Sequence, residues 1–216
     1  MQADLERARG LQQQGEVDRA AAIYQQILAE QPDHREARHL LAVADIQRRD
    51  PVSAIDRLEA LIAEAPDEAR YHNNLGNAYL QVGDQTAAVG AFDKAAELAP
   101  DNADFCANAA TVHMALGQTD EAERGFVAAL RLDGEHFHSR HNLGSLLATA
   151  DRPAEALEHL ERAAAHPASG SETLRNLARV YERLGRADDA ARVLAQADRA
   201  HEAIDDRPAG PDSGRA

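Results

Sequence analysis

The sequence has no tryptophan, one cysteine, and only four phenylalanines and four tyrosines in 216 residues. A lone Cys106 can close no internal disulfide and build no thiolate metal cage, which excludes a disulfide-stapled secreted domain and fits a reducing compartment. So few aromatics leave little material for one thick core, and the apolar content suits thin helical layers instead. No apolar run is long enough to cross a bilayer, and Met1 to Arg7 has neither the basic start nor the apolar core of a signal peptide. The expectation is a cytoplasmic protein with no membrane insertion. Cationic side chains are also short: Lys+Arg number 23 against 37 Asp+Glu, giving a net charge of -14. A chain this acidic is repelled by phosphate backbones, so no nucleic-acid partner is expected.

Helix formers dominate what is present. Ala, Leu, Glu, Gln and Arg are abundant, and β-branched runs of alternating polarity are absent, so the chain reads as all-α. Steps of 34 residues then connect Ala20, Ala54, Ala88, Ala122, Ala156 and Ala190 in an unbroken column. A large apolar column holds Tyr24, Leu58, Phe92, Phe126, Leu160 and Leu194, and a small one Ala8, Ala42, Gly76, Ala110, Gly144 and Ala178. Gly15, Gly83, Gly117 and Gly185 share a turn column, in which Gly supplies the left-handed conformation that ends a helix. Arg49 and Asp151 hold that column in the other two units, each followed two residues later by a proline, Pro51 or Pro153, suited to a first helical turn. Pro32, Pro66 and Pro100 close the first three units.

The spacing predicts six helix-turn-helix units at 1–34, 35–68, 69–102, 103–136, 137–170 and 171–204, which stack because a single helix pair cannot bury its apolar stripe. Residues 205–216, with Pro208, Gly210, Pro211 and Gly214, read as a disordered tail. A chain that starts at Met1 and ends in so short a tail reads as a complete protein.

The run Asn74-Leu75-Gly76-Asn77-Ala78-Tyr79, followed by Gly83, Ala88, Phe92, Ala95 and Pro100, resembles the tetratricopeptide repeat. The resemblance covers all but the last dozen residues. It departs at the opening aromatic of each unit, where Asp4, Arg38, His72, Cys106, Arg140 and Leu174 stand; weaker packing between units is expected there. The resemblance implies a right-handed superhelical solenoid of antiparallel helix pairs, and a concave groove lined by the first helix of each unit that receives an extended or helical segment of a partner protein. Carried onto this chain, the groove residues are Asn73, Asn74 and Asn77, then Ala107, Asn108 and Thr111, then His138, His141, Asn142 and Ser145, and last Arg175, Asn176 and Arg179 with Arg183.

Two roles are open to the row Asn74, Asn108, Asn142 and Asn176. Each amide offers a donor and an acceptor, so the row pairs with the backbone of an extended ligand or with neighbouring helices that it holds in the stack. Arg175, Arg179 and Arg183 fall on one helical stripe, either as a site for an acidic segment or as a solvated face neutralised by Glu172 and Glu182. The family's carboxylate clamp is incomplete, because Asn142 stands where it needs Arg. His136, His138 and His141 lack a completing ligand at zinc spacing, so no metal is expected, and His113 reads as a core histidine. No nucleophile signature, phosphate loop, HExxH or GxSxG occurs, so neither an enzyme nor a cofactor is expected. The leading expectation is a non-catalytic interaction scaffold. The alternative is the substrate-recruiting portion of a larger bacterial glycosyltransferase, sulfotransferase or methyltransferase system.

Overall fold

A computed structural model describes residues 2–205, with side chains to residue 200. Among the described residues there are twelve α-helices and no strand: α1 (Gln2–Gln13), α2 (Val17–Glu30), α3 (Arg35–Gln47), α4 (Pro51–Glu64), α5 (Ala69–Val82), α6 (Gln85–Leu98), α7 (Ala103–Ala115), α8 (Thr119–Leu132), α9 (Phe137–Thr149), α10 (Pro153–Ala165), α11 (Ser171–Arg183) and α12 (Ala187–Asp205). The described residues fall into two compact units, 2–125 and 126–205, divided within α8. The tail expected from Asp205 lies outside the described residues, except for Asp205 itself, which ends α12.

The helix ends follow local chemistry. Asp50, Asp84 and Asn102 accept from the backbone N–H three residues on, and the imidazoles of His34 and His136 do the same at α3 and α9. Pro51 and Pro153 occupy first-turn positions, where the missing N–H costs nothing. All four glycines of the turn column have positive φ, from 72° to 83°. Arg49 and Asp151, their counterparts, are held at φ 61° in the same left-handed region, so the turn geometry persists without the residue that favours it.

Within each unit the apolar columns meet. The Ala20 column is buried at every position, 3% exposed at Ala190 and 0% elsewhere. Tyr24, Leu58, Phe92, Phe126 and Leu160 are sealed in the core, whereas Leu194 is only half-buried. The small column permits the approach of the paired helix. A Cβ on Gly76 would lie 2.8 Å from the Phe92 ring, and one on Gly144 would lie 2.6 Å from Leu160 Cγ.

Polar side chains then tie successive pairs together at a fixed spacing. Tyr79 donates to Glu59 at 2.9 Å and Tyr181 to Glu161 at 2.7 Å, each across 20 residues. His113 repeats the link with Asp93 at 2.9 Å across the same interval. Its ring is partly buried and bonded to Gln118 as well, so it links neighbouring elements.

Two stability changes follow. Ala88→Leu inserts three carbons where no space exists, and should cost about 1–3 kcal/mol of unfolding free energy; an unchanged urea midpoint would remove the packing role of that column. Arg49→Gly should instead raise stability by about 0.5–1 kcal/mol, because relief of left-handed strain exceeds the entropy cost of glycine. A lower melting temperature for that variant would show that the turn is unstrained.

Candidate functional site

The odd-numbered helices of each unit lie side by side, joined by their side chains. In the first unit, α1 meets α3 through Gln12 and Gln47 at 2.8 Å, and Gln81 of α5 donates to the Ile46 carbonyl at 2.9 Å. Asn74 Nδ2 donates to His39 Nε2 at 2.8 Å, and Asn108 Nδ2 to Asn73 Oδ1 at 2.8 Å. These bonds span 35 residues, one repeat plus one position. Asn77 turns its amide to the Asn73 carbonyl at 3.2 Å, and Thr111 its hydroxyl to the Ala107 carbonyl at 2.8 Å, both within one helix. Ala107 itself is buried, and Asn73, Asn74, Asn77 and Asn108 are half-buried.

Asn73, Asn74 and Asn108 are therefore bonded across neighbouring helices before any ligand arrives, and Asn77 is bonded within α5. One polar end of each remains. The Asn73 amide nitrogen and the Asn77 amide oxygen bond to no other group among the described residues. Leu80 lies one helical turn beyond Asn77 on the same stripe, with 41% of its surface exposed. The first unit's face thus alternates amide and apolar surface.

In the second unit Asn176 Nδ2 donates to Ser145 Oγ at 2.9 Å, and Thr173 bonds His141 Nδ1 at 3.0 Å. Asn142 is half-buried beside His141, and His138 is exposed. The arginine stripe is not a row of unpaired cations. Arg183 bonds the Ala148 carbonyl and Asp151, Arg175 lies 3.9 Å from Asp198, and Arg179 donates to Asn176 at 3.1 Å. The neutralising carboxylates are Asp151 and Asp198 rather than the expected Glu172 and Glu182. The sequence reading also passed over Phe137, whose ring stacks with His141 and His166 at 6.0 and 5.1 Å and meets the edge of His138 at 5.3 Å. An aromatic set among His136, His138 and His141 was the available signal.

At two of the opening-aromatic positions, Asp4 and Arg38, polar side chains line clefts. Arg38 pairs with Glu64 at 2.6 Å beside a cleft of about 330 Å³ shared with Arg57. Arg140 is 5% exposed, with its Nε unbonded, and reaches Glu135 at 3.4 Å. Among the described residues no group of three or more His, Cys, Asp or Glu is arranged to hold a metal ion.

His39 is the most perturbed titratable group of the first unit's face. It is 7% exposed, and burial, followed by the charge of Arg70, pushes its pKa from 6.5 down to about 4. Its Nε2 accepts from Asn74, so protonation would break that bond as well as bury a charge. The folded pKa lies below the unfolded one, so the contribution of neutral His39 is complete above pH 6.5 and is lost as pH falls toward 4. At about 1.4 kcal/mol per pKa unit, unfolding free energy should drop by about 2 kcal/mol between pH 7 and 5. His39→Gln should flatten most of that slope, leaving the part due to His141 and His159, whose pKa values burial also lowers. An unaltered slope in the variant would acquit His39.

The tetratricopeptide repeat pattern matches residues 11–77 and 79–141, more than half of the chain, and further patterns of that repeat match residues 137–165 and 171–196. No curated protein matches the chain significantly in sequence. Solved structures do match in fold. The Pseudomonas aeruginosa protein PilF superposes with a TM-score of 0.83 at 20% identity, covering 92% of this chain and 90% of that one. MamA gives 0.70 at 16% identity over 76% of this chain and 96% of its own. YrrB, described as a tetratricopeptide protein with an unusual peptide-binding site, gives 0.68 at 18% identity over 85% and 93%. Among the described residues no helix is long and apolar enough to cross a membrane. With its paired helices, its buried alanine column and these matched segments, the chain belongs to the tetratricopeptide repeat family.

Proposed function

We propose that this protein is a non-catalytic scaffold that binds a segment of a partner protein along the faces of its odd-numbered helices. Family membership supports recognition of protein or peptide partners as the general activity. The peptide-binding site attributed to YrrB, a protein of similar fold, is consistent with that reading. The observation that carries it is the first unit's amide row. Asn73, Asn74 and Asn108 are each fixed by one bond to a neighbour or an adjacent helix, which holds their remaining polar ends in register. An extended backbone offers N–H and C=O groups to such a row whatever its side chains are. The exposed Leu80 then adds apolar contact.

The groove residues of both units, Asn73, Asn74, Asn77, Asn108 and Thr111 in the first and His138, His141, Asn142, Ser145, Arg175, Asn176, Arg179 and Arg183 in the second, are assigned to ligand contact within this proposal. The arginines contribute least, because bonds to Asp151, Ala148, Asp198 and Asn176 already engage them. The free, buried Cys106 fits the cytoplasmic setting that belongs to the same proposal.

The test uses side chains that do not hold the stack. Asn77 bonds only within its own helix, and Leu80 is exposed. A partner captured from the source cell, and trimmed to its binding segment, should bind Asn77→Ala more weakly by about 0.5–1.5 kcal/mol, about twofold to tenfold. Leu80→Glu should lose more, since it places a charge against an apolar contact. If both variants stay folded and titrate with wild-type affinity in calorimetry, this face is not the binding surface.

A further inference from the structure

The second unit holds a pocket of about 400 Å³ between the starts of α9 and α11 and the loop that precedes α11. Phe137, His138 and His141 form one wall, and Glu172 with Thr173 the other. The aromatic wall is layered, as His141 and His166 lie nearly parallel to Phe137, at 27° and 24°, and His138 stands at 68° to it. Thr173, 2% exposed, bonds His141 Nδ1 and so fixes that ring. When Thr173 donates, the imidazole proton sits on Nε2, which faces Glu172 at 3.9 Å.

The charge of this pocket is one-sided. Glu172 is the carboxylate of its lining, and 84% of its side chain is exposed. Arg175, one turn along α11, lies 3.9 Å from Asp198, and Glu172 sits in the first turn of the same helix. Burial holds His141 below its ordinary range, so at neutral pH it adds no positive charge. A pocket with aromatic rings along one wall and one carboxylate on the other suits a flat cation rich in N–H donors.

We propose that the Phe137 pocket receives the guanidinium of an arginine side chain on the bound partner segment. The plane of the guanidinium stacks on the ring wall while its forked N–H groups reach the Glu172 carboxylate. An ammonium fits less well, being a strongly hydrated point charge with no face to stack. The net charge of -14 draws a basic segment and repels an acidic one. This inference rests on the partner-segment reading above and supplies that segment with a chemical requirement.

The probe is N-acetyl-arginine amide, titrated into the full chain and followed through aromatic carbon-proton NMR signals. The expected result is saturable shifts confined to Phe137, His138 and His141. The citrulline analogue, of the same shape without charge, should produce no saturation. Glu172→Gln, at an exposed residue that does not threaten folding, should weaken the arginine probe at least about threefold. Phe137→Leu keeps apolar volume but removes the ring face, and should weaken it again. Equal binding of citrulline, preference for N-acetyl-glutamate amide, shifts that never saturate, or full affinity in Glu172→Gln would each overturn the proposal. The two readings fail separately. A partner lost by Leu80→Glu alongside an inert arginine probe removes only the pocket, whereas a saturating probe alongside an insensitive partner removes only the segment reading.

Discussion

Close approach of paired helices is the constraint on which everything else in this chain depends. With four phenylalanines, four tyrosines and no tryptophan, the helices cannot be held apart and filled between. They must touch. The Ala20 column is buried throughout, and where the small column holds glycine the large apolar column presses close, so that a Cβ at Gly144 would lie 2.6 Å from Leu160 Cγ. Dispersion gains from such contact are short-ranged, so a thin core of alanines stabilises only when the backbones come near. The left-handed turns serve the same end. Arg49 and Asp151 tolerate a conformation that L-residues avoid because only that turn returns the second helix onto the first.

A thin apolar layer leaves more of the joining of repeats to polar side chains, and here they do it with a period. The Tyr79–Glu59, His113–Asp93 and Tyr181–Glu161 links recur at 20 residues, and the links between first helices of the first unit at 35. Such bonds contribute modestly when made and cost more when broken, since a buried group is then left unpaired. His39 and Arg140 are two places where that cost arises. Both are buried where water is excluded, and each keeps one nitrogen unbonded. At Arg140 an aromatic ring would have filled the site without a desolvation penalty, which is the physical meaning of the chain's departure from its family at that column.

Single-position periodicity made most of the fold legible. Columns of alanine, of large apolar residues and of turn glycine are properties of one helix pair repeated, and a step of 34 residues displays them. Even the proline starts of α4 and α10 could be read this way. The site was legible only as a set of faces. That Asn74 meets His39, or that Arg183 meets Asp151, depends on the lateral offset between neighbouring helices, which no single column contains. For that reason the sequence leaves the arginine stripe open as an acidic-segment site or a face neutralised by Glu172 and Glu182, whereas its carboxylate partners lie 32 residues before Arg183 and 23 after Arg175. The Phe137 ring was overlooked because its neighbours come from α9 and from the loop carrying His166, and sequence proximity shows only the first.

The two roles considered for the asparagine row are not exclusive once its geometry is known. An amide has a donor end and an acceptor end, and a stack-holding bond consumes one of them. Asn74 gives its nitrogen to His39 and keeps its oxygen, and Asn108 gives its nitrogen to Asn73 and keeps its oxygen. The remaining ends are therefore fixed by the same bonds that join the helices. A ligand that pairs with them loses little side-chain entropy, because the rotamers are already ordered in the free protein. Binding and stacking then share residues, so a ligand on the row adds bonds to both helices of each joined pair and favours the stacked state over the parted one. Under the proposed function, recognition would strengthen with the order of the repeats and weaken wherever the stack frays.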